Sequence, residues 1–322
     1  MKKIAHILLL ILLFIPLPVF GRERPSEVSL TISPLINKLE VEPGGTRTGI
    51  LEVFNMGSQE VEMITQTRDF EDSQGGHVQF ISREKMEERS HHVSLGKWIT
   101  VGRDSFTVPP GDGEVITFRI DVPEDAEPGG KYSSVLVTTK TEEEDSESTE
   151  IELGSGVGSL FLVNVKGDTK VDAQLTDFST DDLFYRDDQI SFSLAVENLG
   201  NVHIQPRGSI RIYNSRGQQV DSIDINRITD FGNILPQSER AWNFTWKRKD
   251  DIINSGRYKA VLFLDYGSEE GEEIYKEVDF WVLPVDRRGA VFSGALLLLF
   301  LTLVLYRFIQ FYGSDFFKNN IK

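Results

Sequence analysis

Short alternating segments separated by turn residues fill the chain from residue 28 to residue 282. Val28–Ile32 alternates apolar and polar side chains, Leu39–Glu42 runs into Pro43-Gly44-Gly45, and Gly49–Phe54 stops at Asn55-Met56-Gly57. Because successive side chains of a strand point to opposite faces of its sheet, this alternation predicts strands that bury one face. Many such strands at short intervals are typical of β-sandwiches.

The segments fall into two groups, which predicts an all-β fold of two tandem Ig-like β-sandwich domains over residues 22–165 and 166–282. The charged stretch Ser82–Leu95 is expected to be a loop or short helix. The other strands predicted in the first domain are Val61–Thr67, His77–Ile81, Trp98–Val101, Ser105–Val108, Val115–Val122, Tyr132–Thr139 and Ile151–Val165. In the second domain they are Val171–Leu175, Ile190–Val196, Gly208–Tyr213, Val220–Ile225, Ala241–Trp246, Gly256–Leu264 and Ile274–Val282.

An apolar run near the start follows two lysines. Lys2-Lys3 precede Ile7–Val19, and the small residues Val19 and Gly21 come next. This order predicts a secretory signal peptide over residues 1–21, with cleavage between Gly21 and Arg22; an uncleaved anchor is the alternative.

A second apolar run lies near the end. Residues 289–306 are 18 uncharged residues, and about 17 to 25 are needed to cross a bilayer. The run predicts a transmembrane helix after a stalk of residues 283–288, with residues 307–322 as a cytoplasmic tail; a buried core helix is the alternative. The two runs together predict a single-pass protein of the cell membrane with its N-terminus outside.

Composition excludes several kinds of function. The chain has no cysteine, which rules out disulfides, thiol catalysis and cysteine metal sites. Asp and Glu number 50 against 34 Lys and Arg, giving a net charge of −16. Nucleic acid is therefore not an expected partner, since phosphate binding needs clustered basic residues.

No motif for catalysis or metal binding emerges. The histidines after the leader are His77, His91, His92 and His203, and none lies in a zinc-protease pattern. A nucleophile elbow and a phosphate loop are also missing, so we expect no enzyme activity and no cofactor. The segment Asp69–Gly75 is similar to a calcium loop, but Gln74 and Phe80 replace the glycine and glutamate that such a loop requires, which favours a hairpin turn.

One acidic run and one aromatic group leave alternatives open. Glu142–Glu150 is expected to be a solvated hairpin loop, with a calcium-binding loop as the alternative. Trp242, Phe244 and Trp246 would share one face of a strand, as sandwich core or as a sugar-stacking platform, and the core is favoured. Trp98, beside Lys97, is the candidate glycan contact of the first domain.

Two stretches resemble a known bacterial family, the WxL-interacting proteins. Leu30–Pro34, Leu39–Gly44 and Val53–Asn55 are similar to the first domain of that family, which is described as peptidoglycan-binding. The segments of the second domain that resemble its host-surface-binding domain are Val196–Val202, Ile234–Ser238 and Gly256–Ala260. The resemblance implies two sandwiches, a membrane helix and a surface-binding function, but it carries over no binding residue.

The sequence thus supports two hypotheses of different kinds. The leading one is a non-enzymatic, membrane-anchored surface protein whose outer domain binds cell-wall glycan (peptidoglycan) or a partner surface protein. The alternative is an Ig-like chaperone or assembly factor that lends a strand edge to exported surface or pilus subunits.

Overall fold

A computed structural model describes residues 28–73, 76–140, 155–186, 188–229, 232–248, 255–267, 273–283 and 294–308. Strands make up most of this part of the chain, so the predicted all-β fold is confirmed. The predicted signal peptide with Gly21 and Arg22, the acidic run 142–150 and residue Gln74 lie outside the described residues.

Two sheets form the first sandwich. Its strands are β1 Leu30–Ser33, β2 Ile36–Val41, β3 Thr46–Asn55, β4 Val61–Asp72, β5 Val78–Phe80, β6 Ile99–Val101, β7 Ser105–Val108, β8 Gly113–Asp121, β9 Gly129–Thr139 and β10 Gly156–Val165. One sheet has the order β1-β3-β8-β6, and the other has the order β2-β10-β9-β4-β5, with β7 also pairing with β4. Only the β2–β10 pair among these strands is parallel.

Alternation explains the core between these sheets. Along β3, Leu51 and Val53 point inward while Ile50 and Glu52 point outward. Phe118 of β8 and Phe161 of β10 meet across the sandwich, with ring centroids 4.8 Å apart. The apolar face of each sheet is thus buried against the other, as the sequence pattern predicts.

A second pair of sheets repeats this plan. Its strands are β11 Ala173–Thr180, β12 Phe184–Tyr185, β13 Gln189–Asn198, β14 Arg207–Tyr213, β15 Gln219–Ile225, β16 Glu239–Lys247, β17 Gly256–Asp265 and β18 Glu273–Val282. The sheet orders are β11-β13-β16 and β12-β18-β17-β14-β15. In both sandwiches the first strand lies in one sheet, and the short strand that follows pairs in parallel with the last strand of the other sheet.

Helices are few. Helix α1, Arg83–Glu88, lies in the stretch predicted as a loop or short helix, and a 3-10 turn, Leu95–Lys97, begins at the last residue of that stretch. Ser82 caps α1 by accepting a hydrogen bond from the Lys85 N–H.

The predicted membrane span is not confirmed. The described residues of that region, 294–308, lie in helix α2. No helix in the described part of the chain is both long and apolar enough to cross a membrane. This finding overturns the predicted single-pass localisation in the cell membrane.

Candidate functional site

The chain changes sheets at Ser33–Pro34, a cis peptide bond. β1 pairs with β3 in one sheet, whereas β2 pairs with β10 in the other. The pairing with β10 begins only at Leu160, opposite Ile36. Gly156–Ser159, the first part of β10, therefore has β9 on one side and no described strand on the other.

Specific contacts fix the point at which β2 joins β10. The Leu160 N–H donates to the Leu35 carbonyl at 2.8 Å. The Ser159 hydroxyl donates to the Pro34 carbonyl at 2.6 Å and accepts from Asn37 Nδ2 at 2.8 Å. Because both groups of contacts lie at the start of β2, this strand cannot slide along β10 to cover Gly156–Ser159 without breaking them.

Backbone hydrogen-bonding groups of Gly156 and Gly158 face the open side of β10. The Thr139 N–H donates to the Ser155 carbonyl at 3.1 Å, and the Leu160 N–H donates towards β2. Since the direction of these bonds alternates along a strand, odd-numbered residues of β10 bond to β9 and even-numbered residues face the other way. Among the described residues no strand pairs with these groups of Gly156 and Gly158, which form what we call the open edge of β10.

This edge lacks the charges that usually guard a free strand. β10 is the only described strand of six or more residues without a charged side chain. Its counterpart in the second sandwich, β18, is covered by β12 only at Trp281 and Val282, and β18 carries four charged residues: Glu273, Lys276, Glu277 and Asp279. Proteins commonly place charges on exposed edges to prevent pairing with other chains. β18 is protected in this way, and β10 is not.

Apolar side chains surround the open edge. Leu35 is 52% exposed beside it, and Val157 is half-buried against the first core. Further along the outer face of β10, Leu160 and Leu162 line an apolar cavity of about 210 Å³ between the two sandwiches. Its other apolar lining residues are Ile36, Phe70, Val78 and Leu235.

Direct contacts join the two sandwiches next to this cavity. The Gly130 N–H donates to the Asn201 carbonyl at 2.8 Å, and Lys38 Nζ donates to Gln205 Oε1 at 2.7 Å. The rings of Tyr132 and His203 meet edge to face, with centroids 5.8 Å apart. Burial lowers the pKa of His203 to about 4, with a smaller contribution from Lys38, so the imidazole is neutral at neutral pH.

The candidate glycan contact, Trp98, lies inside the first sandwich. Its side chain is 2% exposed, and its Nε1–H donates to the His91 carbonyl at 2.6 Å. A ring this deeply buried presents no face on which a sugar could stack. The lysine beside it, Lys97, points to solvent and donates to the carbonyls of Glu87 and Arg89.

The other aromatic candidates face the second core. Trp246 is buried, and Trp242 and Phe244 are partly buried against the same cluster, so the core interpretation is confirmed. The sugar-stacking alternative finds no exposed platform on this face.

Asp69, the first residue of the segment similar to a calcium loop, has a structural role. It is buried and accepts hydrogen bonds from the Ser94 hydroxyl and the Gly96 N–H, both at 2.7 Å. His92 is exposed and contacts Asp125 at 2.8 Å. Within the described ranges no group of three or more histidines and carboxylates is arranged to hold a metal ion.

Sequence reasoning missed the open edge of β10. It placed the last strands of the first domain at Ile151–Val165, where Gly154-Ser155-Gly156 makes a bulge or bend possible, and it did not consider the edge. The absence of charge along residues 156–165 was the one available signal.

No family model matches the chain, and no curated protein matches it either. Similar solved structures include the class 5 fimbriae chaperone CfaA, at 12% identity over 80% of this chain and 100% of that one, with a TM-score of 0.37. A chain of the CFA/I fimbriae chaperone–tip adhesin complex has 11% identity over 77% and 98%, with a TM-score of 0.38. A chain of the Acinetobacter baumannii CsuC–CsuE pre-assembly complex has 10% identity over 79% and 99%, with a TM-score of 0.34. Similarities this low assign no function, and the resemblance to WxL-interacting proteins stays a prediction.

Proposed function

We propose that this chain is a non-enzymatic assembly factor that lends the open edge of β10 to an extended segment of an exported protein subunit. The observation that carries the proposal is the unguarded stretch Gly156–Ser159, with outward-facing backbone groups at Gly156 and Gly158. A segment added there would continue the sheet beyond β10, on the side where β2 covers only Leu160–Val165.

Strand addition suits a chaperone for physical reasons. Backbone hydrogen bonds supply affinity whatever the partner's sequence, and pockets for alternate side chains supply selectivity. The exposed Leu35 and the apolar cavity at Leu160 and Leu162 favour a partner segment with apolar side chains. An unpaired strand edge is prone to edge-to-edge aggregation, and a chaperone that covers such an edge of a subunit would prevent it. The leader predicted for residues 1–21 would direct the chain to exported clients.

Glycan binding is the weaker hypothesis. The residue proposed for it, Trp98, is buried, and the aromatic residues of β16 pack on the second core. A protein client is therefore the partner that we propose, in place of cell-wall glycan.

Site-specific photocrosslinking in the producing cells tests the proposal. A crosslinker at Gly158 should capture an exported protein, and one at Asp279 of β18 should not. The two positions are equivalent, because Gly158 lies two residues before the pairing with β2 begins and Asp279 lies two residues before the pairing with β12 begins. The captured protein is then produced with and without this chain. We expect its soluble yield to fall without the chain, to recover with the Thr245→Lys variant, and to stay low with Gly158→Lys.

Both lysine variants should fold. A Cβ at Gly158 would press mainly on the flexible end of Leu136, and Thr245 is exposed on the edge strand β16. Equal capture at Gly158 and Asp279, or equal recovery by the two lysine variants, would contradict the proposal.

A further inference from the structure

The opposite edge of the same sheet has a gap in β4. β7 pairs with Val61–Ile64 and β5 pairs with Phe70–Asp72, so no described strand lies beside Thr65–Asp69. Helix α1 and the 3-10 turn pack there, and a cavity of about 340 Å³ opens between them and β4. Its lining includes Thr67, Arg68, Arg83 and Lys97.

Arg68 is a buried cation that forms no ion pair among the described residues. It is 7% exposed, and among the described residues its guanidinium has one hydrogen-bond partner, the neutral Gln66 Oε1 at 3.1 Å from Nη2. Burial lowers the pKa of Arg68, and the neighbouring Arg83 lowers it further. Burying a charge is costly unless the charge is paired and hydrogen-bonded, so this arrangement favours an anion.

The remaining charges make the cavity basic. Arg83 is exposed at the start of α1 and forms no ion pair within the described ranges. Lys97 Nζ stays at the cavity because it donates to the carbonyls of Glu87 and Arg89, at 2.9 and 2.6 Å. Two acidic side chains lie near the cavity, Glu87 in its lining and Glu84 beside Arg68, and both are exposed. Glu84 raises the pKa of Arg68 by less than Arg83 lowers it.

Thr67 adds a backbone donor. The Thr65 N–H donates to the Asp104 carbonyl at 2.9 Å, and the Ile81 N–H donates to the Asp69 carbonyl at 2.8 Å. Odd-numbered residues of β4 therefore direct their backbone groups to this edge, and Thr67 lies in the middle of the gap. Its backbone N–H therefore points to the edge at which Arg68 and Arg83 line the cavity.

We propose that this gap is an oxyanion-binding site, in which Arg68 and Arg83 bind a carboxylate, phosphate or sulfate group against the N–H of Thr67. Guanidinium groups bind the two oxygens of such anions through paired hydrogen bonds, and backbone N–H groups add to the attraction. The site lies two strands from β10 and does not depend on strand addition there. The ligand is either a free inorganic anion or the carboxylate of an acidic peptide.

NMR titration of the full chain at low ionic strength tests the site. One arm uses inorganic phosphate, and the other uses a blocked dipeptide of two glutamates. We expect saturable shifts at the Thr67 amide and the Arg68 guanidinium. Tighter binding of phosphate identifies a free anion as the ligand, and tighter binding of the dipeptide identifies a peptide carboxylate.

Variants make the test decisive. Arg83→Gln changes an exposed residue and should keep the fold, yet weaken binding about tenfold because one of the two guanidiniums is lost. Arg68→Met should weaken binding at least as much. The control, Arg216→Gln, removes one exposed positive charge in the second sandwich and should bind as the unmodified chain does. Linear, unsaturated shifts in both arms, or equal affinity in Arg83→Gln and Arg216→Gln, would overturn the proposal.

Discussion

A single buried asparagine has the same role in each sandwich. Asn55 Nδ2 donates to the carbonyls of Gln59 and Val108, at 2.7 and 3.0 Å, and its Oδ1 accepts from the Gly57 N–H. Asn198 Nδ2 donates to Val202 and Ile234, and its Oδ1 accepts from Gly200, all between 2.8 and 2.9 Å. Both side chains are fully buried. Each one fixes the turn that follows its strand to a neighbouring segment.

Removing either side chain should therefore destabilise its own sandwich. Asn55→Ala and Asn198→Ala each delete three hydrogen bonds and leave buried carbonyls unpaired, so we expect a loss of about 2–4 kcal/mol. Asn243→Ala, on the exposed face of β16, should cost at most about 0.5 kcal/mol. Urea unfolding measures these losses. A loss below about 1 kcal/mol for either buried asparagine would contradict its assigned role.

The sequence predicted a strand end at Asn55-Met56-Gly57, and β3 ends at Asn55 just as β13 ends at Asn198. It did not predict that the asparagine side chains are buried and bond to distant strands. Asparagine is common in turns because it bonds to its own local backbone. The carbonyls of Val108 and Ile234 come close only when the sandwich forms, so no local pattern could reveal those bonds.

At the scale of the strand, the alternation of hydrogen bonds along β10 makes a sharp prediction. Val157 donates its N–H towards β9, whereas the N–H of Gly158 faces the open edge. Val157→Pro removes a bond of the ladder and should cost about 3 kcal/mol or more, whereas Gly158→Pro should cost at least about 2 kcal/mol less. Thermal or urea unfolding of the two variants gives the comparison. Equal losses would show that the hydrogen-bond direction assigned to β10 is wrong.

Sequence alternation located most strands but could not identify which edges stay open. β10 is open because its partner β2 joins it only at Leu160. Since β2 comes more than 100 residues earlier in the chain, no local pattern shows where this pairing begins. The gap in β4 likewise depends on where β5 and β7 end. Pairing partners are set by the tertiary fold, so a local pattern gives the strand without its neighbour.

At the scale of the whole molecule, the contact between the sandwiches should weaken in acid. His203 has a pKa of about 4 in the folded chain against an ordinary value of 6.5. Between pH 4 and pH 6.5 the unfolded chain binds more protons than the folded chain. The stability that neutral His203 contributes is therefore complete above about pH 7 and is lost as the pH falls towards 4, by up to about 1.4 kcal/mol per pH unit.

The variant His203→Phe keeps a ring against Tyr132 but removes the titrating group. When the pH falls from 7 to 4, the unfolding free energy of the unmodified chain should therefore decrease more than that of His203→Phe. Urea unfolding at several pH values measures it. A difference that stays constant with pH would exclude His203 as the source of acid sensitivity.

Composition and alternation were sufficient to predict an all-β chain, whereas the membrane prediction failed. The apolar run 289–306 suggested a span, yet no helix among the described residues is both long and apolar enough to cross a membrane. Hydropathy counts uncharged residues and does not by itself give the length of a helix. The glycan prediction for Trp98 did not anticipate burial, because tryptophan is highly buried on average and an adjacent lysine does not bring the ring to the surface.

Amide hydrogen exchange of β10 tests the central claim most directly. In the free chain the Gly158 N–H should exchange quickly, while the Val157 N–H, bonded to β9, should be protected. When the client captured by crosslinking is bound to saturation, strand addition should slow exchange at Gly158 at least about tenfold and leave Asp279 of β18 unchanged. Unaltered exchange at Gly158 in the saturated complex would show that the client binds elsewhere.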